Sequence, residues 1–264
     1  MCATDVHSDL FAAVQRQVAR RESLVSFQEV KDRSRAAASA RDAYAAVDSD
    51  GCAIIAQVQY NQHGVRTTQQ RIHRAALAAV ELEMQGAQLL ACSGALFGRE
   101  VANIEMDAAR AAVHIPVVSL DTIVDPYQVH EARCYGADAL VLRADILEQP
   151  RLEALLDRAE TLGMSAFVRV GGSEEAARAL RAGASVLAVV PPKRPSGETD
   201  HFALGELVAG LPSKIRVVMM ADVLTPRDLF NVAAAGADAI LANAEAAIPS
   251  LATAGRHPAC ASRR

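Results

Sequence analysis

The chain has 264 residues, of which 51% are hydrophobic, 4% are aromatic and none is Trp, and its formal net charge at pH 7 is −4. That length and apolar content fit one α/β barrel or two small domains around an aliphatic core, and the negative balance argues against a nucleic-acid surface. The five cysteines (2, 52, 92, 134 and 260) are odd in number and show no Cys-x-x-Cys spacing, so neither a disulfide framework nor a zinc site is expected; with no apolar run near membrane-span length and no signal peptide, a cytoplasmic protein of enzyme size is.

Residues 1–50 read as polar helices. Leu10–Arg21 and Ser26–Ala46 hold two or three of them, either a cover for a barrel or a dimerisation arm. Cys52–Val58 is the first apolar strand, Thr68–Gln85 a helix, Gln88–Cys92 the second strand, and Ile104–His114 carries the next helix. Ile115–Leu147 is the clearest β-α-β unit. Ile115–Val118 is a β-branched strand, and Asp125-Pro126 opens a helix with Pro at its first position, where its missing N–H costs nothing. Tyr127–Tyr135 continues that helix, Gly136 stops it, and Ala139–Leu142 is a buried strand. Such units call for a parallel sheet.

The pattern continues with a helix at Pro150–Leu162, a strand at Ala166–Val170, and a helix at Ser173–Ala182 that Ser173 caps and Glu174-Glu175 suit. Val186–Val190 is a strand and Pro191–Asp200 a long polar loop. Phe202–Leu211 is a helix, Val217–Met220 a strand, Thr225-Pro226 a capped helix start, and Ala239–Ala242 the last strand. The tail from Thr253 to Arg264 reads as frayed. No linker interrupts the chain, which predicts one domain over 1–264: a helical extension at 1–50, a barrel at 51–250 and a tail at 251–264.

Gly136-Ala137-Asp138-Ala139-Leu140-Val141 recurs almost unchanged as Gly236-Ala237-Asp238-Ala239-Ile240-Leu241, and Gly86-Ala87 and Gly183-Ala184 stand at the same helix-to-strand joint. Repetition near fifty residues means two β/α modules per period and fits an eight-unit (β/α)8 TIM barrel.

Sites on such barrels gather at the C-terminal strand ends. These ends carry Gln57, Gln59, Asn61, Gln62 and His63; Cys92 and Ser93; Ser119, Asp121 and Thr122; Arg143 and Asp145; Arg169; Lys193 and Arg194; Asp222; and Asn243. Most have an ordinary structural reading: His63 as a solvated loop residue, Cys92 as a small buried hydrophobe, Asp121 as a cap. Arg143 and Arg169 interrupt apolar strands, so they either pair with acids in the mouth or bind an anionic or carbonyl-rich ligand. Asp145 and Asp222 are the candidate partners or acids. His63, Asp121, Asp145 and Asp222 have no metal-binding spacing, and neither a metal nor a cofactor is expected.

The stretch PVVSLDTIVDPYQVHEARCYGADALVL resembles the strand-3 to strand-4 signature of the indole-3-glycerol phosphate synthase family. Ala40-Arg41-Asp42-Ala43-Tyr44, Ile55–Gln59, Leu162-Gly163-Met164 with Phe167–Val170, and Thr225-Pro226 with Gly236–Leu241 extend the resemblance collinearly over roughly residues 10–250. It implies a ribulose-phosphate-binding type of barrel, and a reaction that closes an indole ring by condensation, decarboxylation and dehydration. Carried over position by position, however, the family's groups are replaced. The strand-1 Glu and Lys are Gln57 and Gln59, the Lys after strand 3 is Leu120, and the strand-5 Glu is Arg169. The strand-6 Asn falls near Val190, the strand-7 Ser-Gly is Ala221-Asp222, the residues after strand 8 are Asn243 and Ala244, and the Ser-Pro-Ser loop is Gln62-His63-Gly64.

Leu120 cannot exchange a proton, and the Gln amides cannot replace a carboxylate and an ammonium. Asp222 places a negative charge where a phosphate cradle relies on exposed backbone N–H groups. The expectation is therefore a repurposed lyase or cyclase, inactive as an indole-3-glycerol phosphate synthase, acting on a non-phosphorylated small molecule in specialised-metabolite biosynthesis. Its catalytic residues would be Asp222, Arg169 and Asp145, with Gln57, Gln59, Arg143, Asn243, Ser93, Ser119 and Lys193 binding substrate. A non-catalytic barrel that binds a metabolite or a partner protein is the alternative. A monomer or homodimer, free of nucleic acid and membrane, is expected in either case.

Overall fold

A computed structural model describes residues 3–58, 67–93, 100–193, 200–221, 223–243 and 246–260. Three helices come first: α1 (Ala3–Glu22), α2 (Phe27–Ala36) and α3 (Ala43–Val47). Strands and helices then alternate: β1 (Ala53–Gln57), α4 (Thr68–Met84), β2 (Leu89–Cys92), α5 (Glu100–Ala112), β3 (Val117–Ser119), α6 (Pro126–Cys134), β4 (Ala139–Arg143) and α7 (Gln149–Thr161). The second half holds β5 (Ser165–Val170), α8 (Ser173–Arg181), β6 (Val186–Val189), α9 (His201–Ala209), β7 (Arg216–Met219), α10 (Pro226–Ala234), β8 (Ala239–Ala242) and α11 (Ile248–Gly255). The eight strands close into a parallel barrel in sequence order, β8 pairing back onto β1. This is the (β/α)8 architecture expected from the repeat.

Side chains of a strand point alternately to its two faces, and here each face has its own core. Ile55, Leu89, Val118, Val141, Phe167, Val186, Ala188 and Val218 fill the barrel interior. Ile54, Leu90, Val117, Leu140, Val168, Leu187, Val217 and Ile240 face the surrounding helices. Both faces are buried, so the strands read as continuous apolar runs rather than alternating ones.

The recurring Gly has a conformational cause. Gly86, Gly136, Gly183 and Gly236 have φ of 100°, 83°, 90° and 97°, and Gly163 adopts 70° at an equivalent joint. In each case the next residue's N–H reaches back five residues: Ala87 to Leu82, Ala137 to Ala132, Met164 to Ala159, Ala184 to Ala179 and Ala237 to Val232. This left-handed stop closes the helix and turns the chain into a strand.

The repeated Asp is a clasp between strands. Asp138 is fully buried, and its carboxylate accepts the N–H of Val117 while its own N–H donates to the Val117 carbonyl. Asp238 makes the same pair of bonds with Val217. Both stand where strands enter, the end of such a barrel that serves stability.

The N-terminal extension covers that same end. Ala43 and Val47 join the interior core, Arg216 donates to Asp48 at 2.5 Å, and the Arg41 N–H donates to Asp138 at 2.9 Å. The Arg41 guanidinium also donates to the carbonyls of Ile115, Arg110 and Val113. The Ala40–Tyr44 segment is thus an anchor, and Asp42 caps α3.

Two local expectations are corrected. Ser173 does not cap α8: Gly172 is the cap residue, and the Glu175 side chain accepts from the Gly171 N–H at 2.6 Å. A carboxylate within the first turn takes over the capping there. Nor is the tail frayed from Thr253: α11 runs to Gly255, a short 3-10 turn spans Pro258–Cys260, and Cys260 is 1% exposed. The Gly255 carbonyl accepts from the Cys52 N–H, tying the tail to the start of β1. No helix among the described residues is long and apolar enough to cross a membrane.

Candidate active site at the barrel mouth

The C-terminal strand ends form a mouth with an apolar floor and two unlike rims. Ile55, Val118, Leu120, Val141, Phe167, Ala188, Val218, Met220 and Leu241 make the floor. Strand alternation sets it: Leu120, Met220 and Leu241 continue the inward positions of their strands by one pleat.

One rim is cationic. Arg143, the last residue of β4, is in register with Arg169, the last but one of β5. Asp145 lies between them, receiving Arg143 Nε at 3.1 Å, Arg143 Nη2 at 2.5 Å and Arg169 Nη1 at 3.1 Å. Its side chain is 12% exposed, those of the arginines 23% and 29%. Burial works to raise the Asp145 pKa, but hydrogen bonding and charge from Arg143, then charge from Arg169, outweigh it and hold the carboxyl below its ordinary value. Arg178 supports the loop beneath by donating to the carbonyls of Ala144 and Leu147. Among the described residues, two guanidinium groups share one carboxylate, so these three side chains carry a net positive charge.

The other rim presents uncharged polar side chains among the described residues at its strand ends. Gln57 Nε2 lies 3.4 Å from Ser93 Oγ. Gln57 and Asn243 also border one cavity of about 470 Å³ together with Ala78, Glu81 and Leu82 of α4 and Ala246–Pro249.

The structure therefore unites Arg143, Asp145 and Arg169 on one side and Gln57, Ser93 and Asn243 on the other. Ser119 belongs to neither group. It occupies an outward-facing position, is fully buried, and accepts from the Asp121 N–H at 3.4 Å; its assignment to substrate is corrected on that ground. Lys193 is exposed on the loop after β6. Asp121 lines a separate groove beneath α1 with Gln17 and Asn103. Gln59, His63, Arg194 and Asp222 lie outside the described residues. An acid role for Asp145 required a raised pKa, and the two arginines impose the opposite shift. Sequence reading by polarity passed over Phe167, Met220 and Leu241, although strand alternation marks them as inward. It also passed over Arg178, for which α8 offers no sequence signal.

The sequence model of the family described as "Indole-3-glycerol phosphate synthase" matches residues 8–246. The indole-3-glycerol phosphate synthase of Saccharopolyspora erythraea is 40% identical over 97% of both chains. Those of Mycolicibacterium vanbaalenii and Mycolicibacterium smegmatis are 39% and 37% identical over 98% of both. Among solved structures, the N-acetylmannosamine-6-phosphate 2-epimerase of Clostridium perfringens is similar with a TM-score of 0.61, at 16% identity over 82% of this chain and 96% of that one. At that identity the likeness is one of fold alone.

These relatives overturn the expectation of a repurposed enzyme excluded from indole-3-glycerol phosphate synthesis, or of a non-catalytic barrel. The match spans nearly the full length of this chain and of chains carrying that name. A barrel mouth collects side chains from eight strands, so the loss of a group at one strand end does not by itself exclude the activity.

Proposed function

This chain belongs to the indole-3-glycerol phosphate synthase family, and from that premise we propose that it is a ring-closing lyase that forms indole-3-glycerol phosphate. The observation that carries this reading is the 40% identity to a synthase of that name over 97% of both chains. The reaction joins the ring carbon bearing the carboxylate to the sugar carbonyl carbon, then releases carbon dioxide and water. It needs an anion-binding rim, an apolar surface for the aromatic ring and hydrogen-bonding groups for the sugar, all of which the mouth presents.

In this reading Arg143 and Arg169 bind negative charge. Asp145, held ionised between them, holds both guanidinium groups in place and neither gives nor takes a proton. Asp222 is the remaining carboxyl for proton transfer, and Gln57, Gln59, Ser93, Asn243 and Lys193 make polar contacts to substrate. We place the enzyme in the cytoplasm as a single-domain monomer or homodimer. The replacements at 57, 59, 120 and 169 support a finer reading in which this lyase supplies a specialised-metabolite pathway.

The test is turnover of carboxyphenylamino-deoxyribulose phosphate, followed by the rise of indole fluorescence against a chain without Trp. Product formation above the uncatalysed background is expected. Absence of product with saturating substrate and stoichiometric protein would overturn the proposal.

A further inference from the structure

We propose that the Arg143–Asp145–Arg169 cluster is an aryl-carboxylate subsite, and that it fixes which end of the substrate lies at β4–β5. This rests on the synthase reading for the identity of the substrate, but the subsite itself is argued from the geometry of the mouth.

The two guanidinium groups are paired residues of adjacent strands, so their relative position is set by the barrel ladder rather than by a loop. Asp145 takes Nε and one Nη of Arg143 and one Nη of Arg169. Among the described residues nothing else takes the remaining N–H donors of the two forks, which suit a second anion. Because Asp145 neutralises only one of the two charges, a second carboxylate completes the pairing instead of overloading it. Planar forks match a carboxylate in a two-bond arrangement that an ammonium cannot copy.

What lies beneath the forks selects the rest of the ligand. One pleat below, ~6.6 Å along the same strands, stand Val141 and Phe167, with Leu120 beside them on the floor. An aromatic ring attached to the bound carboxylate rests on that surface and removes it from water. Across the mouth, the described residues Gln57, Ser93 and Asn243 offer neutral donors and acceptors. The aryl-carboxylate end thus belongs at β4–β5, and the hydroxylated end at β8–β1–β2. Asp145 is a positioning residue here, holding both forks by the bonds that keep it ionised.

The absence of Trp makes the test direct. N-methylanthranilate is fluorescent and carries the aryl carboxylate without sugar or phosphate. Its binding is titrated by fluorescence anisotropy in the intact protein and in Arg143→Gln, Arg169→Gln and Arg169→Lys, with thermal melts reporting that each variant is folded. Saturable binding to the intact protein is expected, weakened at least tenfold by either Gln variant and also weakened by Arg169→Lys, which keeps the charge but loses the fork. N-methylaniline, lacking the carboxylate, should bind at least tenfold more weakly. Inorganic phosphate at millimolar concentration should not displace N-methylanthranilate.

Binding that survives both Gln variants in folded protein, or no binding to the intact protein, overturns the subsite. Displacement by phosphate assigns the cluster to the phosphate end and overturns the orientation. Because binding is read without turnover, a chain that binds N-methylanthranilate through these arginines yet makes no indole product loses the synthase reading and keeps the subsite.

Discussion

His130 sits on α6 beneath α2, 2% exposed, and its neutral form is built into the joint between extension and barrel. The Ser34 hydroxyl donates its proton to the Lys31 carbonyl at 2.8 Å, so at 2.7 Å from His130 Nδ1 it must accept, and the imidazole proton lies on Nδ1. Nε2 is buried with no hydrogen-bond partner among the described residues, and Phe27 packs edge-on against the ring. Protonation would place a new N–H where nothing accepts it. Burial, then the charges of Arg158, Lys31 and Arg35, lower the pKa from 6.5 to about 4.

The sign follows from that shift. Between pH 6.5 and about 4 the unfolded chain binds a proton that the folded chain does not, so stability is full above 6.5 and falls as the pH is lowered through this window. At pH 5 the loss amounts to about 2 kcal/mol relative to pH 7.5. Urea unfolding followed by circular dichroism at both pH values, for the natural chain and for His130→Gln, isolates the histidine because every other titrating group is common to both. The natural chain should lose about 2 kcal/mol more than the variant. Equal losses would refute the argument that His130 is held neutral.

Two further outcomes follow from the clasp and the floor. Asp138→Ala strands the N–H groups of Val117 and Arg41 and leaves the Arg110 guanidinium, which donates to Asp138 at 3.2 Å, without its acid; denaturant melts should show a loss of about 3–5 kcal/mol, and a loss below about 1 kcal/mol, the value of an ordinary surface pair, would contradict the clasp. Leu120→Lys returns an ammonium to the apolar floor, where desolvation lowers its pKa toward neutrality. Turnover of carboxyphenylamino-deoxyribulose phosphate should rise about a hundredfold, the lower end of the ~10²–10⁴ range of general acid–base catalysis, and unchanged turnover with intact substrate binding would show that no proton is transferred at this strand end.

The chain by itself determined the barrel. Gly at helix stops, Pro at helix starts and apolar runs of strand length are local requirements of backbone and burial, and the glycine stop recurs at five helix-to-strand joints among the described residues. Even the paired Asp of the two Gly-Ala-Asp-Ala segments was visible, though its purpose was not: a carboxylate that clasps the strand before it is a contact across about twenty residues. The family was also legible, because strand and turn segments keep their order along the chain.

Tertiary structure decided what the polar strand ends do. Whether a strand-end residue faces the mouth or the helices depends on one step of register, so Ser119 looked like a ligand contact and is a buried outward-facing hydroxyl. Asp145 looked like a candidate acid. Only the register that places Arg169 beside Arg143 shows its carboxylate held ionised between two guanidinium groups, because a pKa is a property of neighbours and not of residue type.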